Sequence, residues 1–233
     1  MILRVGLIMA KRALQQKAIS LRKSGKSYSE IKKIVPVSKG SLSLWLKNYP
    51  LSKSQIARLE EKKSRQIERY IQSMRLKRNN KLRGYYEIQR KKHLPFTKEE
   101  LYLAGLFLYW GEGNKSSRHT ISINNTDPRV IKFALYWIIK GLGIDKSKIK
   151  VLVHLYSDME VEKELNFWSE GIGIDRNQFS RPYIKESKKT GLSQRGFGHG
   201  TCTLITHNTV VKENLFMSLE AISDYYNRKL SKI

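Results

Sequence analysis

The carboxylate of Glu112 stands between two glycines at the end of an apolar run, in the segment TKEELYLAGLFLYWGEGNKS at 97–116. Thr97 followed by Glu100 has the form of a capping box, so the run predicts a helix that starts after Thr97 and ends at the glycines around Glu112. The carbonyl end of a helix carries partial negative charge, and a carboxylate there adds to it. A bound cation is therefore favoured beside Glu112.

The same segment resembles the motif helix of the LAGLIDADG homing endonuclease family. The residues that carry the resemblance are Leu103, Ala104, Gly105 and Leu106, followed by Gly111, Glu112 and Gly113. The resemblance implies that the helix packs against its counterpart from a second copy, with Ala104, Gly105 and Gly111 in the interface of a homodimer. It also implies that Glu112 is the catalytic, metal-binding carboxylate, and that Mg²⁺ bound there assists phosphodiester cleavage.

The segment can be aligned with the motif of the family in two registers, and both remain possible interpretations of the sequence. Matching the letters LAGL puts Trp110 at the position that is acidic in the family, so that Glu112 lies two residues late. Matching WGEG instead puts Phe107 where the family has a small contact residue, although Gly111 then suits a close helix contact. The first register changes the catalytic geometry, and the second changes the helix packing.

Cleavage of a phosphodiester also needs cationic groups near the phosphate. Lys115 lies just beyond Glu112 and is interpreted as a second catalytic residue. Lys188 and Lys189, which lie with Lys185 in one basic segment, are interpreted as DNA-binding residues. The spacing of these lysines in the sequence does not decide which of them lies near the phosphate.

Other polar residues of this half suit a structural role better than a catalytic one. Asn124, Asn125 and Asp127 either line the same face as Glu112 or form an Asx turn that caps the helix beginning near residue 128, and we favour the turn. Cys202 and His207 lie five residues apart on a predicted strand and so face opposite sides, which argues against a zinc site there.

The elements that position Glu112 predict an α+β domain, because strand-like runs alternate with helical segments. Their order resembles the αββαββα repeat of the LAGLIDADG family. The elements in that interpretation are a strand pair at 113–117 and 119–124, a helix at 127–142, a strand pair at 148–156 and 200–206, a last helix at 209–226, and an insertion at 158–196. The aromatic residues assigned to the core are Tyr109, Trp110, Tyr136, Trp137 and Trp168.

Charge separates the chain into two parts. The protein has a net charge of +25, and residues 1–98 hold 26 basic and 5 acidic residues, whereas residues 99–233 hold 19 and 15. An excess of this size disfavours the compact state unless a polyanion relieves the repulsion. The first part therefore indicates a nucleic acid partner, and we expect double-stranded DNA.

The N-terminal part predicts three short helices. Leu14, Ala18 and Leu21 have helical spacing, and Ser27 with Glu30 forms a capping box before a second helix whose inner residues are Ile31 and Ile34. Ser38 is predicted to cap a third helix that buries Leu42, Trp45 and Leu46. Three helices with a tight turn between the second and third make a helix-turn-helix.

The segment KAISLRKSGKSYSEIKKIVPVSKGSLSLWLKNYPLS resembles the helix-turn-helix of the resolvase and transposase families. In such a fold the third helix enters the major groove and its outward N-terminal residues meet the bases. The resemblance implies base contacts from Lys39, Ser41 and Ser43, and phosphate contacts from Ser38 and Lys47. The alternative is a three-helix module that binds protein.

Residues 51–96 predict a basic helical linker. Its main cluster of DNA-binding candidates is Arg75, Lys77, Arg78, Lys81 and Arg83. The linker is either a solvated connector or a helix that also lies along DNA phosphates, and the pattern does not decide between them.

These observations predict three domains: a helix-turn-helix at 1–50, the basic helical linker at 51–96 and a LAGLIDADG-like domain at 97–233. One cysteine and the absence of a long apolar run predict a cytoplasmic protein with no membrane partner. We expect a sequence-specific DNA-binding protein that is a metal-dependent homing-type endonuclease. The alternatives are a DNA-binding transcriptional regulator without cleavage activity and an RNA-binding protein.

Overall fold

The structure is a computed structural model that describes residues 2–187 and 198–231. The predicted DNA-binding residues Lys188 and Lys189 lie outside the described residues. The chain divides into two compact units, Met1–Leu94 and Pro95–Ile233. Helices and a four-stranded mixed sheet confirm the predicted α+β class.

The first unit is helical in its described residues. Its helices are α1 (Ile2–Lys23), α2 (Tyr28–Ile34), α3 (Lys39–Leu46), α4 (Lys53–Ala57) and α5 (Lys62–His93). The side chain of Ser27 accepts a hydrogen bond from the amide of Glu30, whose carboxylate accepts one from the amide of Ser27, so the predicted capping box is present. Ser38 caps α3, as predicted.

A small core holds α1, α2 and α3 together. Ala18, Ile31 and Leu46 are fully buried, and the predicted burial of Leu42 and Trp45 is also confirmed. The predicted burial of Ile34 is wrong, because α2 ends there and the side chain is 42% exposed. The next residue, Val35, adopts an extended backbone and fills the core instead.

The second unit contains the sheet. Its main elements are α6 (Lys98–Glu112), β1 (Thr120–Asn125), α7 (Pro128–Tyr136), β2 (Lys150–Tyr156), α8 (Val161–Ile172), β3 (Tyr183–Lys185), β4 (Thr201–His207) and α9 (Thr209–Leu230). The strand order is β1-β4-β2-β3, with β4 antiparallel to both neighbours and β2 parallel to β3.

The predicted strand at 113–117 is wrong. Only Gly113 forms a bridge, to Ile123, before the chain turns. The side-chain oxygen of Asn114 accepts hydrogen bonds from the amides of Ser116 and Ser117, so an Asx-type turn replaces the strand. Gly113, which is the C-cap of α6, is thus followed directly by a polar turn.

The core of the second unit lies on one face of the sheet. Trp137 and Trp168 are fully buried there, as is Tyr109, so these three aromatic predictions are confirmed. The predictions for Trp110 and Tyr136 are wrong, since these side chains are 42% and 56% exposed. Both lie on helix surfaces that are partly open to solvent.

Candidate functional site

The outer surface of α3 is basic and free of carboxylates. Lys39, Ser43 and Lys47 are exposed, and the sequence from Ile31 to Leu59 contains no acidic residue. Apolar packing on the opposite side fixes the helix, so these side chains are presented on a stable scaffold. Such a surface suits a polyanion, because nothing on it repels phosphate.

Ser38 and Ser41 are partly engaged within the protein. Ser38 accepts a hydrogen bond from the amide of Ser41, and the two hydroxyls lie 3.0 Å apart in a further hydrogen bond. Ser41 is also half-buried. Its hydroxyl accepts the bond from Ser38 and keeps its own proton, but Lys39 and Ser43 are more exposed and are therefore the better placed residues.

A buried ion pair fastens α5 to the helices that precede it. The guanidinium of Arg22 makes two hydrogen bonds to the carboxylate of Glu68, at 2.8 and 2.7 Å, and both side chains are at most 2% exposed. Arg22 also donates to the carbonyl of Tyr49, and Glu68 accepts from the amide of Tyr28. The first turns of α5 are therefore part of the packed unit rather than a free connector.

The predicted basic cluster on α5 is largely exposed. Lys77, Arg78, Lys81 and Arg83 are solvent-accessible, whereas Arg75 is half-buried and donates to the hydroxyl of Tyr28 at 3.3 Å. The whole helix carries 12 basic and 2 acidic residues. Arg75 joins α5 to α2 through this hydrogen bond. The first residue of the basic cluster is therefore fixed relative to the rest of the first unit.

Glu112 lies at the last position of α6, with its side chain exposed. Lys115 is also exposed, in the polar turn that follows. Within the described ranges, no three histidine, cysteine, aspartate or glutamate side chains come together to hold a metal ion. Glu112 therefore does not belong to a metal-binding group of this size within the described residues of one chain.

A buried lysine supports the turn behind Glu112. The Nζ atom of Lys212, on α9, donates to the hydroxyl of Tyr109 and to the carbonyl of Asn114, and the side chain is fully buried. In the described part of the chain no carboxylate pairs with it. Burial, and then the nearby charge of Lys115, lower the pKa of Lys212, and burial raises the pKa of Tyr109 to about 12.

The helix α6 has one face in the core and one in solvent. A side chain added at Gly105 would lie 2.0 Å from the Trp137 ring of the same chain, so the prediction that Gly105 lies in a dimer interface is wrong. Ala104 is half-buried, and Gly111 has open space around it. The solvent face instead carries an apolar stripe, which consists of Leu103, Phe107 and Trp110 at spacings of four and three.

A cleft of about 950 Å³ opens beside the end of α6, between the polar turn and α9. Its walls combine the rings of Trp110 and Phe216 with the cations Lys115 and Arg118 and two carboxylates from α9. Aromatic and cationic groups together suit a ligand with both a flat ring and a negative charge. Lys115, one of the two predicted catalytic residues, thus lines the cleft.

The sheet has a second face that the core does not use. Its side chains are half-buried or exposed, and none of the four strands contains an aspartate or glutamate. Lys150 and Lys185 are the cations of this face. His154 lies against the ring of Tyr183, and burial followed by the charge of Lys185 lowers its pKa.

The favoured Asx-turn interpretation is confirmed. The side chain of Asn125 accepts a hydrogen bond from the amide of Asp127, and Asp127 caps α7 by accepting one from the amide of Arg129. Hydrogen bonds from the side chain and amide of Arg129, followed by the charge of its guanidinium, lower the pKa of Asp127. The buried Cys202 and the exposed His207 lie on opposite sides of β4, as predicted.

Sequence reasoning missed Arg22, Glu68 and Lys212. A signal for two of them exists, because Arg22 continues the inward spacing of Leu14 and Ala18, and Lys212 precedes buried Leu215 by three residues. A charged residue at an apolar helix position predicts a buried, partnered ion.

No protein-family model matches the chain, and comparisons with curated proteins and with solved structures find no match either. In the described part of the chain no helix combines the length and apolar character needed to span a bilayer. The argument for function therefore depends on the geometry and charge of the residues above.

Proposed function

We propose that the protein is a sequence-specific DNA-binding protein that acts as a homodimer. The observation that carries the proposal is the acid-free surface of α3, which presents Lys39, Ser43 and Lys47 from a packed three-helix unit. The helix enters the major groove in the manner of a helix-turn-helix, and the exposed cations of α5 contact phosphates. The acid-free face of the sheet supplies a second surface for the same polyanion.

The dimer forms through the apolar stripe of α6. Leu103, Phe107 and Trp110 expose aromatic and aliphatic surface that a second α6 covers, with Gly111 allowing close approach. Substitution of Phe107 by Asp is expected to convert a dimer into a monomer in sedimentation velocity. The equally exposed Tyr136→Asp variant, on α7, is the control and should remain dimeric.

The proposed reaction is cleavage of DNA phosphodiesters with Mg²⁺, in keeping with the resemblance to the LAGLIDADG family. Two Glu112 carboxylates, one from each copy, would hold the ion, and the bound ion would supply activation of a water molecule for attack on phosphorus. Lys115 holds the phosphate, and the hydrogen bonds from Lys212 and Tyr109 to Asn114 fix the turn that carries Lys115. Glu112→Gln should abolish cleavage and leave binding of the same duplex unchanged.

The second candidate is a transcriptional regulator that binds DNA without cleaving it. It is favoured by the absence, among the described residues of one chain, of any group of three or more possible metal ligands around Glu112. Incubation of the protein with duplex fragments from its own genomic surroundings and Mg²⁺ separates the two candidates. Strand breaks that require Glu112 support the nuclease, whereas specific binding without breaks supports the regulator.

A further inference from the structure

Two histidine side chains meet where β1 and β4 pair at the edge of the sheet. The rings of His119 and His207 have centroids 6.0 Å apart with an angle of 34° between their planes, and both side chains are exposed. We call them the histidine pair. His207 projects from the acid-free sheet face that is proposed above as a second DNA surface, but neither histidine belongs to the proposed cleavage site.

The backbone around the histidine pair is firmly held. Thr120 is the register partner of His207, and the amide of Asn208 donates to the carbonyl of His119 at 2.9 Å. The hydroxyl of Ser117 accepts from the amide of Thr120 at 3.1 Å. Both imidazoles therefore project from fixed positions, which reduces the entropy lost when they share a ligand.

The spacing of the rings suits one shared metal ion. A metal bound to an imidazole nitrogen lies about 3.2 Å from the ring centroid, so two rings that share it have centroids about 5.2 Å apart at a tetrahedral angle and at most about 6.4 Å apart. The observed 6.0 Å lies below this upper limit, and the rings approach each other by about 0.8 Å if the ion is tetrahedral. Both side chains are exposed, so their rings can turn towards a shared ligand.

Thr120 orients one of the two ligands. Its hydroxyl lies 3.2 Å from Nδ1 of His207, so an Nδ1–H that donates to this oxygen leaves the lone pair of Nε2 free for a metal. Metal-binding histidines commonly use their second nitrogen in this way. The threonine hydroxyl can donate to Nδ1 or accept from it, and metal binding at Nε2 favours the second direction.

We propose that the histidine pair binds a divalent transition metal ion of the Zn²⁺ or Ni²⁺ type, with Thr120 as the orienting residue. Neutral imidazole nitrogens suit these borderline ions, whereas Mg²⁺ and Ca²⁺ prefer oxygen ligands. Water completes the coordination. The site is distinct from the Mg²⁺ site proposed at Glu112, and it does not depend on DNA binding or cleavage.

Calorimetric titration of the untagged full-length protein with Zn²⁺, and separately with Ni²⁺, tests the site. One ion per chain is expected, with no competition from excess Mg²⁺. His119→Ala and His207→Ala should each weaken binding by at least about tenfold, and Thr120→Val should weaken it by about tenfold. His93→Ala and His154→Ala are matched controls that should bind as the native protein does.

Circular dichroism and thermal melting check that each variant is folded, which the exposure of both rings favours. The proposal is overturned if the native protein takes up neither ion at millimolar concentration. It is equally overturned if the double variant lacking both histidines keeps the native affinity, because another group would then be the ligand.

Discussion

Among the described residues, three ionic side chains are fully buried: Arg22 and Glu68 in the first unit, and Lys212 in the second. Arg22 and Glu68 neutralise each other, whereas Lys212 is stabilised by the hydroxyl of Tyr109, the carbonyl of Asn114 and aromatic rings. Propensity and spacing predicted the capping residues Ser27, Ser38 and Asp127, because a cap is a local interaction. They did not predict the buried ions, whose partners lie tens of residues away in sequence.

Removing one member of the Arg22–Glu68 pair should strongly destabilise the first unit. Glu68→Gln leaves a buried guanidinium without its counter-charge, and such changes cost roughly 3–5 kcal/mol. The exposed pair of Lys33 and Glu61 is the matched control, and Glu61→Gln should cost less than about 1 kcal/mol. Urea denaturation followed by circular dichroism measures both, and equal losses would refute the argument.

The thiol of Cys202 should make the second unit sensitive to alkali. Burial raises its pKa from 9.0 to about 12, so the unfolded chain loses this proton at lower pH than the folded chain. The stabilisation is complete below pH 9 and is lost as the pH rises towards 12. From this thiol alone, linkage predicts a loss of about 2.5 kcal/mol between pH 8 and pH 11.

Denaturation curves at pH 8 and pH 11 test this expectation by comparing the native protein with Cys202→Ala. The variant is less stable at pH 8, because it leaves a small cavity, but it should lose less stability on going to pH 11. The same loss in both proteins would show that Cys202 does not titrate in this way.

At the scale of elements, α6 was predicted in type and limits, and its capping box is present as expected. Which of its faces lies in the core was not predictable from the motif alone. A run such as LYLAGLFLYW is apolar on all sides, so periodicity cannot choose a buried face. Packing on Trp137 makes that choice and turns Gly105 inward and Phe107 outward.

Gly105→Ala should therefore destabilise the second unit. The added methyl group meets the Trp137 ring at 2.0 Å, and overpacking of this kind costs typically about 1–3 kcal/mol or more. Gly171→Ala, on α8, is the control because its added methyl group meets nothing within 4 Å. Thermal melting should show a clear loss for the first variant and little change, or a small gain, for the second.

At the scale of the whole molecule, composition predicted two electrostatically different parts, and the chain divides into two compact units at Leu94 and Pro95. The sequence pattern also predicted the α+β class. It did not predict that the first turns of α5 pack on α1 and α2, because Arg22 and Glu68 are separated by 46 residues. Long-range pairs of this kind leave no periodic signal.

The salt dependence of DNA binding by the full chain tests the central claim most directly. Fluorescence anisotropy with a labelled duplex should give a dissociation constant that rises steeply, by about 10³-fold or more between about 50 and 200 mM salt if at least six phosphates are contacted. Combined substitution of Lys39 and Lys47 by Ala should weaken binding and flatten this dependence. Failure to bind the duplex at low salt, or an affinity that does not change with salt, would contradict the account.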